Sequence, residues 1–410
     1  MKWKCATTVT ALLLLFLAAA SAQTITIGFT VSRTGSLNVD SLEQLRGMEL
    51  WRDQVNAAGG IKASGKSYQV KFVNYDDESN PQRVQQLYTR LILQDKANFL
   101  ISPYSSGLTA TAAIVSEQNG KIMITTGAAE PKTYTLGNKY LFQMFTPANK
   151  YLTSALDALK AKDPHARLGL VYADDSFSNA VASAAKVYAQ KIGLNIVFAE
   201  AYAPDTTDFS PIIDKLVSSK ATALVGGGHY ADGSTLARQL QSQKANIQFV
   251  SLLVAPDSPQ FTQLGTAANG VTVPSQWEPQ ATFKPQIGPT SAEFVAQYQA
   301  KYNAPPSYES AGGYATGLVL QHAIEQAGSL DTAKVASAMN ATNLTTFFGR
   351  TQFATAANEH GLQIAHTMVL AQWQLNKSGK LDKQVVWPES AETAALIFPI
   401  QHGQAVVAGK

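Results

Sequence analysis

The sequence is poor in cysteine, in clustered charge and in long apolar runs, and each shortage excludes a class of protein. Its single cysteine, Cys5, lies in the N-terminal segment, so no disulfide can join two parts of the chain. The 32 Lys and Arg nearly balance the 29 Asp and Glu, which leaves no global field to attract nucleic acid or an anionic membrane. After the N-terminal segment, no run reaches the ~18 consecutive apolar residues that indicate a membrane-spanning helix.

Motifs for catalysis, phosphate binding and metal binding are also missing. Residues 307–312, S-Y-E-S-A-G, lack the G-x-S-x-G spacing of a nucleophile elbow, and no Gly-Lys-Ser/Thr follows the three glycines at 226–228. The six histidines are scattered, and the closest pair, His360 and His366, would point to opposite sides of a helix. We therefore expect no enzyme activity, no catalytic residues, no metal site and no cofactor.

The first 22 residues have the three parts of a secretory signal. Lys2 and Lys4 precede an apolar core at residues 11–20, and Ala20-Ser21-Ala22 supplies an A-x-A cleavage site. The apolar core is shorter than the ~20 residues of a transmembrane span. Cleavage after Ala22 would leave 30 basic and 29 acidic residues, a net charge near +1. The predicted location is periplasmic or secreted.

Beyond the signal, strand-like runs alternate with helix-like runs, which is typical of an α/β fold with parallel sheets covered on both faces. A first series begins at Ile25, and a similar series restarts at Arg167. A long helix is predicted over residues 308–327. Two similar lobes whose strand ends face each other would enclose one cleft.

Residues 99–131 contain two apolar runs, each of which ends in a loop of small residues, at 102–107 and at 126–129. In open α/β folds, ligands bind at the carboxyl ends of parallel strands. Hydroxyls and free N–H groups at a helix start suit a carboxylate or another anion. Since neither loop carries an acid, a base or a metal ligand, the stretch indicates binding and not catalysis.

Four aromatic residues stand at predicted strand ends and could form a shared apolar pocket: Tyr104, Phe177, Tyr230 and Trp277. Two acidic clusters, residues 76–78 and 174–175, also follow strands and precede helices. Turn formation and helix capping are the favoured roles for both, ahead of ligand binding.

Several motifs together resemble type I periplasmic binding proteins of the leucine/isoleucine/valine-binding branch, the solute receptors of amino-acid and amide ABC transporters. These motifs are S-R-T-G at 32–35, V-N-A-A-G-G-I at 55–61, Y-S-S at 104–106, T-G-A-A at 126–129, G-R-T-Q-F at 349–353 and Q-W-Q at 372–374. The resemblance implies two Rossmann-like lobes joined by three crossover strands, near 142–147, 270–277 and 347–353. Residues 23–145 and 276–350 would form lobe 1, residues 146–275 and 351–393 lobe 2, and residues 394–410 a C-terminal tail.

The resemblance also implies a ligand between the lobes, closure about the hinge and docking of the closed form on a membrane permease. The ligand carboxylate would be held by Ser105, Ser106 and the backbone of Ala128 and Ala129. Tyr104 would lie beside these loops. The second lobe would contribute Phe177, His229 and Tyr230.

Two departures from the family pattern leave two alternatives for the group that the ligand carries besides its carboxylate. Family members that bind amino acids commonly have a hydroxyl residue where Ala129 stands, and a second-lobe acid near the apolar run 252–254. Asp257 or Glu309 could instead meet an ammonium group. An amino acid is the favoured ligand, and an aromatic or other organic acid without an amino group is the alternative. A sensor that signals instead of importing, and a secreted α/β hydrolase, are the competing functions.

Overall fold

The computed structural model describes residues 23–400, so the predicted signal segment and residues 401–410 lie outside the described part. The α/β class is confirmed, with ten helices among the described residues that alternate with strands through most of the chain. The helices are α1 (Asn38–Ala57), α2 (Pro81–Leu93), α3 (Ser106–Gln118), α4 (Thr153–Lys162), α5 (Ser176–Lys191), α6 (Ser210–Ser218), α7 (Tyr230–Ser242), α8 (Ser291–Tyr302), α9 (Tyr308–Ala327) and α10 (Thr332–Asn340).

The first sheet defines the first lobe and has six strands: β1 (Gln23–Val31), β2 (Ile61–Ala63), β3 (Lys66–Asp76), β4 (Phe99–Ile101), β5 (Met123–Thr125) and β6 (Leu141–Gln143). Their order is β2-β3-β1-β4-β5-β6, and all neighbours are parallel except β2 and β3. A two-residue turn joins that antiparallel pair, with Ser64 at φ 52° and Gly65 at φ 70°. Positive φ at both turn residues matches the right-handed twist of a hairpin.

The second sheet defines the second lobe. Its strands are β7 (Arg167–Ala173), β8 (Asn195–Tyr202), β9 (Ala223–Gly227), β10 (Phe249–Leu252) and β11 (Thr272–Ser275), followed after the small hairpin of β12 (Asn343–Thr346) and β13 (Gly349–Gln352) by β14 (Val369–Leu375) and β15 (Leu381–Trp387). The order is β15-β14-β11-β10-β9-β7-β8. The sheets are predominantly parallel, as predicted, and the second sheet is mixed because β14 pairs antiparallel with both β11 and β15.

The chain passes between the two lobes after β6, after β11 and after β13, at the three segments predicted for the crossings. The crossings lie side by side, since the Thr146 backbone N–H donates to Gln276 Oε1 at 3.0 Å and Thr146 Oγ1 lies 2.9 Å from His366 Nδ1. The residue boundaries given above for the lobes stay a prediction.

Residues 256–306 and residues 394–400 both have defined structure. The Pro- and Gln-rich region 256–306 contains β11 and α8. Residues 394–400 pack on the second lobe, where Leu396 and Ile400 are buried and the Ile397 N–H donates to Gln372 Oε1 at 2.8 Å. None of the helices in residues 23–400 is long and apolar enough to cross a membrane.

Helices α1 and α9 form the closest helix pair of the first lobe, although about 250 residues separate them in the chain. Glycines permit the approach. A Cβ atom at Gly47 would collide with the Ser310 carbonyl group, and one at Gly313 would collide with the Gln44 carbonyl group. This contact brings the first turns of both helices to the edge that faces the second lobe.

We predict that Gly47→Ala lowers the free energy of unfolding by about 1 to 3 kcal/mol, because the new methyl group must push α1 away from α9. Gly107→Ala is the matched control, since Gly107 also lies in a helix and a Cβ there would meet nothing within 4 Å. Thermal unfolding followed by circular dichroism measures both. Equal melting temperatures for the two variants would contradict the packing argument.

Candidate ligand-binding site between the lobes

The two small-residue loops of the first lobe lie where the sequence predicts, directly after β4 and β5, and they face the start of α7 in the second lobe. Tyr104 Oη lies 3.0 Å from His229 Nδ1, and their rings pack edge to face with centroids 5.5 Å apart. The two lobes are therefore in contact at this point. Both side chains are buried.

The first-lobe loops offer hydrogen-bond donors on a rigid support. Ser105 caps α3 at φ 77°, and its Oγ accepts from the Leu108 N–H at 3.3 Å. Ser106 Oγ accepts from the Glu130 N–H at 3.1 Å, so its own hydroxyl proton remains available.

The second loop, residues 126–129, is anchored by two hydrogen bonds to one of its carbonyl groups. The Ala128 carbonyl accepts from Tyr134 Oη and from Gln143 Nε2, both at 3.1 Å. The backbone N–H groups of Ala128 and Ala129 donate to no other residue within 23–400. Together with the N-terminus of α3, they form an arrangement suited to a carboxylate.

A cationic histidine faces these donors from the second lobe. His229 Nε2 lies 3.5 Å from Asp175 Oδ2, and the His229 backbone N–H donates to Asp232 Oδ1 at 2.8 Å. Burial opposes protonation, but the hydrogen bond and the charge of Asp175 outweigh it and raise the pKa of His229 to about 9. At neutral pH the ring is therefore an imidazolium beside the anion-binding loops.

The end of the site near Ala129 is apolar. Ala129 belongs to the buried apolar cluster of the second lobe, which also contains Tyr151, Phe177, Leu253 and Val254. The rings of Tyr151 and Phe177 meet edge to face with centroids 5.0 Å apart, and the Phe177 ring centroid lies 5.9 Å from that of His229. Val254 has φ 47°, a strained conformation for a β-branched residue, of the kind that clusters at functional sites.

Two acids of the first lobe also face the interface. Asp40, in the first turn of α1, accepts from the Tyr230 backbone N–H of the second lobe at 3.3 Å. Glu309, in the first turn of α9, accepts from Gln44 Nε2 at 2.8 Å, and Gln44 Oε1 accepts from Thr126 Oγ1 at 2.6 Å. This chain of bonds joins Glu309 to the second small-residue loop.

Asp257, proposed above as a partner for an ammonium group, is already paired. Its Oδ1 lies 2.8 Å from Lys383 Nζ, and its Oδ2 accepts from the Tyr308 backbone N–H at 2.8 Å. Burial opposes the charge on Lys383, but Asp257 and Glu278 outweigh it and raise the Lys383 pKa above its ordinary value. Asp257 therefore links the second lobe to the N-terminus of α9 in the first.

The expectation of four aromatics in a shared pocket is partly wrong. Trp277 is buried in the first lobe, where it packs against Phe294 and Phe347 and donates from Nε1 to Ser291 Oγ at 3.2 Å. Tyr104 and Phe177 do meet, through His229, whereas Tyr230 is half-buried and reaches the interface with its backbone.

The favoured structural roles of the two acidic clusters are confirmed. Asp77 accepts from Thr30 Oγ1 and Ser32 Oγ, both at 2.6 Å, and shapes a turn. Asp175 caps α5 by accepting from the Ser178 N–H at 2.9 Å.

Sequence reasoning missed four residues at the interface: Asp40, Gln44, Tyr151 and Tyr308. An acid in the first turn of a helix is ordinary, because it complements the helix dipole, so Asp40 gave no functional signal. Gln44 is recognisable only once α1 and α9 are known to pack together. Tyr151 and Tyr308 lie outside the strand-end loops in which the sequence predicts ligand contacts.

The family model described as periplasmic binding protein matches residues 24–380. The chain belongs to this family. An amino acid binding protein of Pseudomonas aeruginosa is 25% identical to this periplasmic binding protein over 336 residues, which are 80% of this chain and 86% of that protein. Leu/Ile/Val-binding protein homolog 8 of Brucella melitensis is 26% identical over 377 residues, covering 89% of this chain and 91% of the relative.

Solved structures give the same fold for this periplasmic binding protein. The branched-chain amino acid transporter substrate-binding protein LivJ from Streptococcus pneumoniae, in complex with isoleucine, matches with a TM-score of 0.72 and 23% identity, over 89% of this chain and 100% of the other. An ABC transporter solute-binding protein from R. palustris, in complex with benzoate, matches with a TM-score of 0.72 and 19% identity, over 94% and 99%.

We predict that His229 makes the stability of this binding protein depend on pH. Because its folded-state pKa of about 9 exceeds the ordinary 6.5, its contribution is complete below pH 6.5 and is lost as pH rises through 9. Urea unfolding of the wild type and of His229→Gln should therefore differ by roughly 1 to 3 kcal/mol more at pH 6 than at pH 9.5.

His165→Gln is the control for this measurement, because His165 is exposed in the turn before β7. Its difference from the wild type should not change with pH. A His229→Gln curve that runs parallel to the wild-type curve from pH 6 to 9.5 would contradict the pairing with Asp175.

Proposed function

We propose that the chain is the extracytoplasmic substrate-binding protein of an ABC importer, and that it captures a small solute with a carboxylate group between its lobes. The observation that carries the proposal is that groups suited to an anion stand on both sides of the contact between Tyr104 and His229. The Ser106 hydroxyl and the free N–H groups of Ala128 and Ala129 come from the first lobe, and the charged His229 comes from the second. The names of the relatives, which bind amino acids or benzoate, support the same ligand chemistry.

Closure of the lobes would complete the site, because the donors are divided between them. In an open form the first-lobe loops would lie in water, where hydrogen bonds to a carboxylate are weak. On closure, His229 approaches Tyr104, and Phe177 covers the apolar end beside Ala129. A ligand that bridges both lobes binds the closed state better and so shifts the population towards it.

The arrangement Asp175–His229–Tyr104 has the outline of an acid–base relay, but its electrostatics favour binding. An imidazole with a pKa of about 9 is protonated at neutral pH and cannot accept a proton from a nucleophile. We therefore assign His229 to the stabilisation of a bound anion. The predicted signal segment would place the protein outside the cytoplasm, where its closed form would dock on a membrane permease.

We predict that saturating ligand stabilises the protein measurably. A compound present at 100 times its dissociation constant adds about 2.7 kcal/mol to the free energy of unfolding. A thermal-shift screen of amino acids, aromatic acids and amides should raise the melting temperature with at least one carboxylate. No shift with any of these compounds would contradict the proposal.

With a ligand from that screen, Ser106→Ala should weaken binding about tenfold or more, because one hydrogen bond to a charged group is lost. Ser337→Ala is the control, since Ser337 is an exposed helix residue far from the cleft. Isothermal titration calorimetry measures both. Equal affinity for Ser106→Ala and the wild type would remove this loop from the site.

A further inference from the structure

A cavity of about 620 Å³ lies beside the segments that cross between the lobes, and we call it the hinge cavity. Its walls come from residues 276–283, 367–369 and 385–393. Small-molecule sites commonly enclose roughly 300 to 1,000 Å³, so the space is sufficient for a ligand. None of these segments contributes to the anion-binding loops or to α7, so the hinge cavity is separate from the carboxylate site.

Both lobes form the walls of the hinge cavity. Trp277 belongs to the buried apolar cluster of the first lobe, whereas Val369 and Val385 lie in β14 and β15 of the second sheet. A molecule in the cavity would therefore contact both lobes. Because a ligand favours the state that it binds best, such a molecule would stabilise the relative position that the lobes have in this structure.

One residue of the wall, Glu278, has a carboxylate oxygen without a donor. Glu278 is 2% exposed, and within residues 23–400 its Oε2 has no hydrogen-bond partner. Lys383 Nζ lies 3.0 Å from Glu278 Oε1, but it also donates to Asp257 Oδ1 at 2.8 Å and to the Asp257 carbonyl at 3.1 Å. An ammonium group has three N–H donors, so these three contacts leave none for Oε2.

Neighbouring side chains donate their hydrogen bonds elsewhere. The Ser275 hydroxyl donates to the Trp277 carbonyl at 2.8 Å, and Gln280 Nε2 donates to the Lys383 carbonyl at 3.2 Å. Burial raises the pKa of Glu278 above its ordinary value, although Lys383 opposes this effect. A buried acceptor without a donor is rare, which indicates that a ligand supplies the donor. The outermost torsion of a glutamate side chain is broad, so the carboxyl group can turn towards the cavity.

The charges around the hinge cavity favour a neutral ligand. Lys383 would repel a cation placed next to Glu278. Asp257, Glu278 and the exposed Glu392 would repel an anion. Apolar side chains supply much of the remaining wall, among them those of Trp277, Met368, Val385 and Pro388. The matching ligand therefore has an apolar body and an N–H group.

We propose that the hinge cavity is a second ligand site, and that it binds a neutral, largely apolar molecule whose N–H group donates to Glu278. The site goes beyond the carboxylate receptor proposed above and does not depend on it. Glu278 shares Lys383 with Asp257, and Asp257 accepts from the Tyr308 backbone N–H of the first lobe. A ligand in the hinge cavity is thus placed where it can influence the contact between the lobes.

The test uses two pairs of neutral bicyclic compounds, and in each pair an oxygen atom replaces the N–H group. The pairs are indole with benzofuran, and 2-quinolinone with coumarin. Calorimetry with the full mature chain measures each affinity for the wild type, Glu278→Gln and Ala391→Phe, which adds a ring at an exposed position of the cavity wall. The matched controls are Glu392→Gln, at an exposed acid of the same wall, and Ala357→Phe, at an exposed residue outside it. Ser106→Ala reports on the carboxylate site.

In at least one pair, we expect the wild type to bind the N–H compound about tenfold or more tightly than its oxygen analogue, because a hydrogen bond to a charged group is lost. Glu278→Gln should abolish this preference. The ratio of the two affinities is measured on the same folded protein, so it separates recognition of the N–H group from a general effect on folding. Ala391→Phe should weaken both compounds about tenfold. Glu392→Gln, Ala357→Phe and Ser106→Ala should change neither affinity more than about twofold.

Each of the other outcomes would overturn the inference. No binding of any of the four compounds would remove the ligand site. Equal affinity within both pairs would contradict the N–H bond to Glu278, as would a preference that survives in Glu278→Gln. Binding that Ser106→Ala weakens and Ala391→Phe does not would place the compounds in the carboxylate site. All of these results would leave the carboxylate receptor standing, since none of the four compounds carries a carboxylate.

Discussion

The close contact between α1 and α9 is the constraint on which the rest of the site depends. Gly47 and Gly313 let the two backbones approach to a distance that any side chain would prevent. As a result, Asp40 and Gln44 from the start of the chain lie beside Glu309 from a helix that begins at residue 308. The packing of this one helix pair within the first lobe therefore positions all three residues.

The interface between the lobes combines hydrogen-bond donors with buried carboxyl groups. Hydroxyl and N–H donors with a charged His229 suit an anion, whereas burial raises the pKa of the nearby acids Asp40 and Glu309. Burial raises the pKa of Asp40 to about 7, so in the absence of a ligand this acid ionises only partly at neutral pH.

The alternation of strands and helices, the two small-residue loops and α9 could all be predicted from the sequence, because apolar periodicity and turn residues mark them locally. The start of α1 could not. Its N-cap is Leu37, which makes no side-chain capping bond, so no capping residue in the sequence marks Asp40 as part of the first turn. The bond between Gln44 and Glu309 joins residues 265 positions apart, and a single sequence carries no signal for such a pairing. The ion pair between Asp257 and Lys383 joins residues 126 positions apart, and the sequence gives no signal for it either.

The link from Asp257 to the N-terminus of α9 has a consequence for motion. When the lobes separate, the carboxylate would give up the Tyr308 N–H but keep Lys383, which belongs to the same lobe. Asp257 would therefore keep a cationic partner in the open state, one that it shares with Glu278, and water would satisfy the released N–H group. Such a contact holds the closed form through one hydrogen bond, and its opening leaves the ion pair with Lys383 intact.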